Sequence, residues 1–248
     1  MKTPIDVFRL PKDGNAPEEN EDANWPLRAS TSVADAVRIA IADGATDSAR
    51  SRIWSQLLVR DFGKRRMDQS NLEERLPRLA KIWKRAVYRP DLPWYAKAKM
   101  RLGSFAAFVG LELTEADSVG HWSAVACGDS VMFHVRSDEL LQVFPPLRSE
   151  DFSNSPRLLG TPGEGLDRDA VITADGEWHD GDCFYLMTDA LACWYLTCYE
   201  SKRDPWQGLL NLAFAHDPTF DEWIAGLRER GEIRNDDCTL IIAMPELS

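Results

Sequence analysis

Apolar residues recur along the chain at two spacings, close to every second position in some stretches and every third or fourth in others, and the switches between them mark out strands and helices. The first thirty residues are polar and punctuated by Gly14, Pro17 and Pro26; residues 36–42 then read as a short apolar strand ending at Asp43-Gly44. A helix is predicted next, with Asp47 or Ser48 as its cap and Ile53, Trp54, Leu57, Leu58 and Phe62 on one face. Two further helices are predicted over residues 71–88, from Leu72, Leu76, Leu79 and Trp83, and from Pro93 to about Arg101. From Gly103 the texture changes. Residues 104–113, 122–127 and 131–136 are short, apolar and β-prone, and Gly128-Asp129-Ser130 between the last two reads as a hairpin turn. Residues 145–182 are rich in Ser, Pro, Gly and Asp and read as a long loop. Beyond it the pattern predicts a strand at 183–188, a buried helix at 190–199, a helix at 220–230 closed by Gly231, and a last strand at 238–244.

A chain of 248 residues with this order can form one large layered domain, and a single domain is expected. No apolar run reaches the roughly 18 to 20 residues needed to cross a bilayer. The first residues lack the continuous apolar stretch of a secretory signal, so a cytoplasmic location is expected. The five cysteines lie in or beside apolar runs, as free core thiols do. A net charge of −11 argues against nucleic-acid and membrane-surface partners. The basic segment from about residue 60 to 101, including Lys64, Arg65, Arg66, Lys81, Lys84 and Arg85, reads as the solvated side of helices, and the Pro93-Trp94-Tyr95 and Trp206 segments read as core.

The candidate chemistry is acidic. Asn20-Glu21-Asp22-Ala23, Ala42-Asp43-Gly44-Ala45, Thr188-Asp189-Ala190 and Asn235-Asp236-Asp237-Cys238-Thr239 each place an aspartate at the end of an apolar strand, and Asp129 occupies the predicted turn. Asp43 and Asp189 follow their strands whereas Asp236 precedes its own, so the three meet at one rim only if the last strand is antiparallel. Carboxylates gathered there repel one another unless a cation neutralises them, and an all-oxygen donor set suits Mg²⁺ or Mn²⁺ better than zinc. Taken singly, each motif has a plainer reading: Asp-Gly as a turn, Asp189 as a helix cap, Asp236 and Asp237 as a solvated loop. His121, His134, His179 and His216 show no catalytic spacing and read as structural or exposed.

Taken together and in this order, the motifs over residues 18–244 resemble those of the protein phosphatase 2C family, the metal-dependent serine/threonine phosphatases, in a compact bacterial form. The resemblance implies an α+β fold, a central β-sandwich of two antiparallel sheets flanked by helices in four αββα layers, with residues 145–182 as a variable flap. It implies that Asp43, Asp189 and Asp236 hold a first Mn²⁺ or Mg²⁺. Asp43 and the Gly44 carbonyl would hold a second, with Glu21 and Asp22 reaching it through waters, and Asp129 would match a residue of a weaker third site. The implied activity is hydrolysis of phosphoserine or phosphothreonine by a two-metal-activated water. The implied partner is a phosphoprotein, with a cognate serine/threonine kinase system as an open counterpart. The chain departs from the family pattern in four places. Pro17 stands where an arginine commonly grips phosphate, with Lys12 a substitute candidate; Ala190, Cys193 and Phe105 replace the usual Gly, acidic residue and Thr. These departures keep a second reading open, a pseudophosphatase acting as a regulatory binding module. A nuclease, a remoter reading, would need a basic groove.

Overall fold

The computed structural model describes residues 1–68, 70–152, 156–161, 168–214 and 219–248. Its strands are β1 (Lys2–Leu10), β2 (Ala23–Trp25), β3 (Ser30–Val33), β4 (Ala36–Gly44), β5 (Phe105–Ala116), β6 (Val119–Cys127), β7 (Val131–Arg136), β8 (Glu139–Phe144), β9 (Leu159–Gly160), β10 (Ile172–Trp178), β11 (Cys183–Met187) and β12 (Cys238–Ala243). Its helices are α1 (Ser51–Gly63), α2 (Leu72–Val87), α3 (Trp94–Leu102), α4 (Asp189–Glu200), α5 (Pro205–Phe214) and α6 (Phe220–Glu229). One sheet runs β3-β1-β12-β11-β7-β8; the other runs β10-β6-β5-β4-β2, with β9 on β5. Every strand pairing is antiparallel, and β12 is antiparallel to β11, as the order of the aspartates requires.

Two-residue alternation sorts the side chains into layers. Val37, Ile39 and Ile41 of β4, Val109 and Leu111 of β5, Phe184 and Leu186 of β11 and Ile241 and Ala243 of β12 fill the space between the sheets. The opposite phase of β4, Ala40 and Ala42, packs under Trp54 and Leu58 of α1. The opposite phase of β12, Cys238, Leu240 and Ile242, packs under α4, α5 and α6. The result is the expected αββα stack, an α+β fold.

Several local expectations are corrected. Gly128-Asp129-Ser130 is not a hairpin turn, because β6 and β7 belong to different sheets and the segment carries the chain from one to the other. The hairpins are β5–β6 through Asp117-Ser118 and β7–β8 through Ser137-Asp138, both turn residues having positive φ in each case, as tight two-residue turns demand. The stretch 145–182 is not all loop, since β10 pairs with β6 along its length; residues 153–155 and 162–167 of the expected flap, like His216, lie outside the described residues. The first thirty residues hold β1 and β2. Neither Asp47 nor Ser48 caps α1; Arg50 precedes it at φ 55°, and the Ser48 hydroxyl instead donates to the Ala45 carbonyl and accepts from the Phe105 amide. Trp206 is buried, whereas Trp94 and Tyr95 are 80% and 63% exposed, against expectation. The five cysteines are free thiols.

Candidate metal centre

The alternation that builds the core also aims the site. Continuing the inward phase of β4 past Ile41 gives Asp43; continuing that of β11 past Leu186 gives Thr188; running that of β12 back from Ile241 gives Thr239. Because Met187 lies opposite Leu240 across the β11–β12 pair, Thr188 and Thr239 come together at one end of the sandwich. Asp22, which leads into β2 of the other sheet, closes that end. Its Oδ2 accepts from Thr239 Oγ1 at 2.7 Å and from Thr188 Oγ1 at 3.0 Å, while its Oδ1 is buried without a protein partner.

Three carboxylates converge beside it. Asp43, Asp129 and Asp189 each offer an oxygen, and these lie within 4.8 Å of one another. Asp129 arrives on the crossover from β6, whose Gly128 has φ 96° and packs so tightly that a Cβ there would stand 2.7 Å from Ala107 Cβ. Asp189 opens α4, where the helix N-terminus favours its charge; its Oδ1 accepts from the Ala190 amide at 2.5 Å, and its Oδ2 accepts from Arg234 Nη2. Gly44, in the outward phase, faces α1: a Cβ would meet Ser51 Cβ at 2.8 Å and the Glu21 carbonyl at 2.9 Å, so only glycine allows this approach.

The remaining candidates lie around this cluster. Among the described residues Asp236 and Glu21 are not members of it. Asp236 accepts from the Asp237 amide at 2.9 Å and has Arg234 Nε 3.9 Å away, and Glu21 accepts from the Ser51 hydroxyl. Asp237, a residue without a role at the sequence level, is buried and holds the rim, accepting from the Glu21 amide at 2.7 Å and the Lys12 amide at 2.9 Å. Asn20 accepts from the Asp22 amide and from Arg9. Cys193 points its thiol at the Ser149 carbonyl. Arg234, Asp237, Thr188 and Thr239, to which the sequence assigned no role, are the side chains that hold the candidate groups in place. Their one available signal was adjacency to the acidic motifs.

Electrostatics show what this gathering costs. Burial, reinforced by the charges of Asp22, Asp129, Asp236 and Asp237, pushes the Asp43 carboxyl well above the ordinary range. Burial raises Asp22 to about 7, against the pull of the Thr239 and Thr188 hydroxyls. Asp129 is raised too, burial leading and Arg234 opposing. Negative charge is thus concentrated with too little cation to offset it, and Asp22 has an orphaned oxygen beside it. An all-oxygen donor set of this kind fits a hard divalent ion, so the residues present can hold a metal.

No protein-family model and no curated sequence matches the chain. Solved structures do. The Mycobacterium tuberculosis serine/threonine phosphatase PstP/Ppp superposes with a TM-score of 0.56 at 17% identity, covering 99% of this chain and 100% of that one. The catalytic domain of PstP in complex with two manganese ions gives 0.53 at 17%, covering 98% of each chain. RsbX in complex with magnesium gives 0.55 at 17%, covering 100% of this chain and 96% of that one. At such identities the likeness is one of fold. Two six-stranded antiparallel sheets, helices on both outer faces and acidic residues gathered at one end therefore give this chain the fold of the bacterial-type phosphatase 2C phosphatases.

Proposed function

We propose that the chain is a metal-dependent phosphatase of phosphoserine or phosphothreonine monoesters. The observation that carries this reading is the convergence of Asp43, Asp129 and Asp189, from three distant parts of the chain, at the end of a phosphatase 2C-type sandwich. Two bound Mn²⁺ or Mg²⁺ ions would acidify a water and offset charge on the phosphoryl oxygens. In this reading Asp43 would serve both ions, Asp189 and Asp236 would help hold one, and the Gly44 carbonyl would help hold the other. Glu21 and Asp22 contribute to that second position through water, with Asp22 Oδ1 as the oxygen left to accept. Asp129 serves a further, weaker position.

The other residues of the site hold and orient these groups. Thr188 and Thr239 fix Asp22, Ser51 fixes Glu21, and Asp237 clamps the Glu21 backbone. Pro17 begins a short turn and carries no charge, so it cannot grip phosphate. The guanidinium that touches the cluster belongs to Arg234, 40% exposed and bound to Asp189; it is the group we assign to the phosphoryl oxygens. Phosphate monoester hydrolysis is among the slowest reactions in water, which is consistent with so much charge being assembled for it.

Hydrolysis of p-nitrophenyl phosphate and a phosphothreonine peptide, with Mn²⁺, with Mg²⁺ and with chelator, tests the reading. Turnover that needs metal and collapses in Asp43→Asn supports it. Mn²⁺ binding without turnover would favour the regulatory binding module, a reading to which Pro17 and the Cys193 thiol, turned away to Ser149, lend weight.

A further inference from the structure

The charge of this chain is unevenly placed. Between residues 78 and 101 eight lysines and arginines stand against one acidic residue, Asp91, in a protein whose net charge is −11. This stretch forms the second half of α2 and the whole of α3. Lys81, Lys84, Arg85, Lys99 and Arg101 are exposed, and among the described residues none of them is in an ion pair. Solvated helix faces in globular proteins normally intersperse both signs; this one does not.

The two helices enclose a groove of about 530 Å³, lined by Lys81, Lys84, Lys97 and Arg101 over Trp83 and Met100. Tyr88, 50% exposed, lines it, and Trp94 and Tyr95 at the start of α3 are 80% and 63% exposed. Lone exposed aromatics are ordinary, but three within residues 88–95, on or next to the same pair of helices as an unpaired basic groove, are a feature of surfaces that bind. The groove adjoins a depression that reaches the candidate residue Glu21. Met100 also lines this depression of about 710 Å³, whose lining includes Glu18, Glu19, Glu21 and Ser51 along with Arg50, Arg52 and Lys99. Ser51 is the residue that a side chain at Gly44 would strike, next to Asp43.

We propose that the α2–α3 groove docks an acidic segment of the phosphoprotein substrate, presenting the phosphorylated residue to the candidate metal centre. The inference rests on the phosphatase reading for its second half and on charge complementarity for its first. A short acidic peptide fits a patch of this extent. A long nucleic acid would run onto the acidic remainder of the surface, and a flat anionic membrane could not enter the groove. Lysine and arginine heads over an apolar floor suit alternating acidic and small apolar side chains in an extended peptide.

The test uses two phosphothreonine peptides of one length, one flanked by Asp and Glu and the other by Asn and Gln. Wild-type protein is compared with Lys81→Glu/Lys84→Glu and, in case charge reversal disturbs α2, with Lys97→Gln/Arg101→Gln, circular dichroism reporting the fold of each. Wild type is expected to prefer the acidic peptide in kcat/KM by about tenfold, the preference shrinking as salt is raised, and each variant is expected to bring the ratio close to one. Fluorescence anisotropy of the unphosphorylated, fluorescein-labelled acidic peptide should show the same weakening without any turnover. A wild-type ratio of one, or a preference that both variants keep, overturns the proposal. So does binding to phosphatidylserine vesicles or single-stranded RNA with none to the acidic peptide. If wild type fails to hydrolyse p-nitrophenyl phosphate yet loses acidic-peptide binding in the variants, the docking groove stands and the catalytic reading alone is lost.

Discussion

Asp43 carries the sharpest consequences at the scale of single residues. Burial and four neighbouring carboxylates hold its proton tightly, so its ionised form is an electrostatic liability until a cation arrives. Asp43→Asn removes that repulsion while keeping shape. The metal-free variant is expected to melt at or above the wild-type temperature, to lose stabilisation by Mn²⁺, and to lose roughly 10³-fold in hydrolysis; a metal-free variant that melts well below wild type would sink the repulsion argument. Arg234 yields an opposite pair of effects. Its guanidinium would compete with a metal for Asp189, so Arg234→Gln should tighten Mn²⁺ binding by about tenfold in calorimetry while raising KM for phosphopeptide by a similar factor. Weaker Mn²⁺ binding in that variant would show that Arg234 supports the metal site instead of competing with it. Asp43, Asp129 and Asp189 were legible in the sequence because each ends or follows an apolar strand, where a charge is conspicuous. Arg234 and Asp237 were not, because an exposed-looking Arg-Asn-Asp-Asp run acquires its meaning only when Asp237 reaches the Glu21 amide, 216 positions away.

Among the elements, α1, α2, α3, α4 and α6 and the central strands could be read from the spacing of their apolar positions, whereas α5 and β8 were not. Where the reading failed, the governing contact was distant. The crossover at Gly128-Asp129-Ser130 has the composition of a hairpin turn, and only the membership of β6 and β7 in different sheets distinguishes the two. β1 and β10, with weaker apolar alternation, are specified largely by pairing with β12 and β6. A buried polar knot between β7 and the turn that leads into β11 shows how much such contacts weigh. Asp182, 1% exposed, accepts from Arg136 Nε at 2.7 Å and Nη2 at 2.8 Å, from the His179 amide at 2.9 Å, and pairs with His134 Nε2 at 2.7 Å. Burial alone would raise its carboxyl, but these donors together hold it below the ordinary range. Burial depresses His134, more than Asp182 lifts it. Both folded pKa values lie below the unfolded ones, so both groups contribute stability that is present at neutral pH. That stability is lost on acidification, first as pH falls below about 6.5 for His134 and then below about 3.9 for Asp182. Asp182→Asn is expected to cost about 2–4 kcal/mol, discounted because Arg136 is partly exposed, and to flatten the acid limb of a melting-temperature profile; an unchanged limb would place the acid sensitivity elsewhere.

For the molecule as a whole, the candidate metal centre and the fold should be energetically linked. The acidic cluster is assembled from β4, the β6–β7 crossover and the start of α4, with Asp22 joining the two sheets through Thr188 and Thr239, so an ion bound there ties together parts of the chain that separate on unfolding. An ion that binds only the folded form adds RT ln(1 + [L]/Kd), about 2.7 kcal/mol at a hundredfold excess over Kd. For a protein of this size that corresponds to a rise of roughly 5–10 °C in melting temperature, reversed by chelator. Mn²⁺ and Mg²⁺ should both produce it, and Zn²⁺ less well, given an all-oxygen donor set. Raising the salt concentration without divalent ions should also stabilise the metal-free protein, because screening weakens the repulsion in a chain of net charge −11, but by less than a bound ion that sits among the carboxylates. Calorimetric melts in chelator, in chelator with 0.5 M NaCl and in millimolar Mn²⁺ separate the two effects. If salt reproduces the whole of the Mn²⁺ shift, the cluster is diffuse surface charge; if Mn²⁺ adds a shift that salt cannot and Asp43→Asn abolishes, the two sheets meet at a site built to hold an ion.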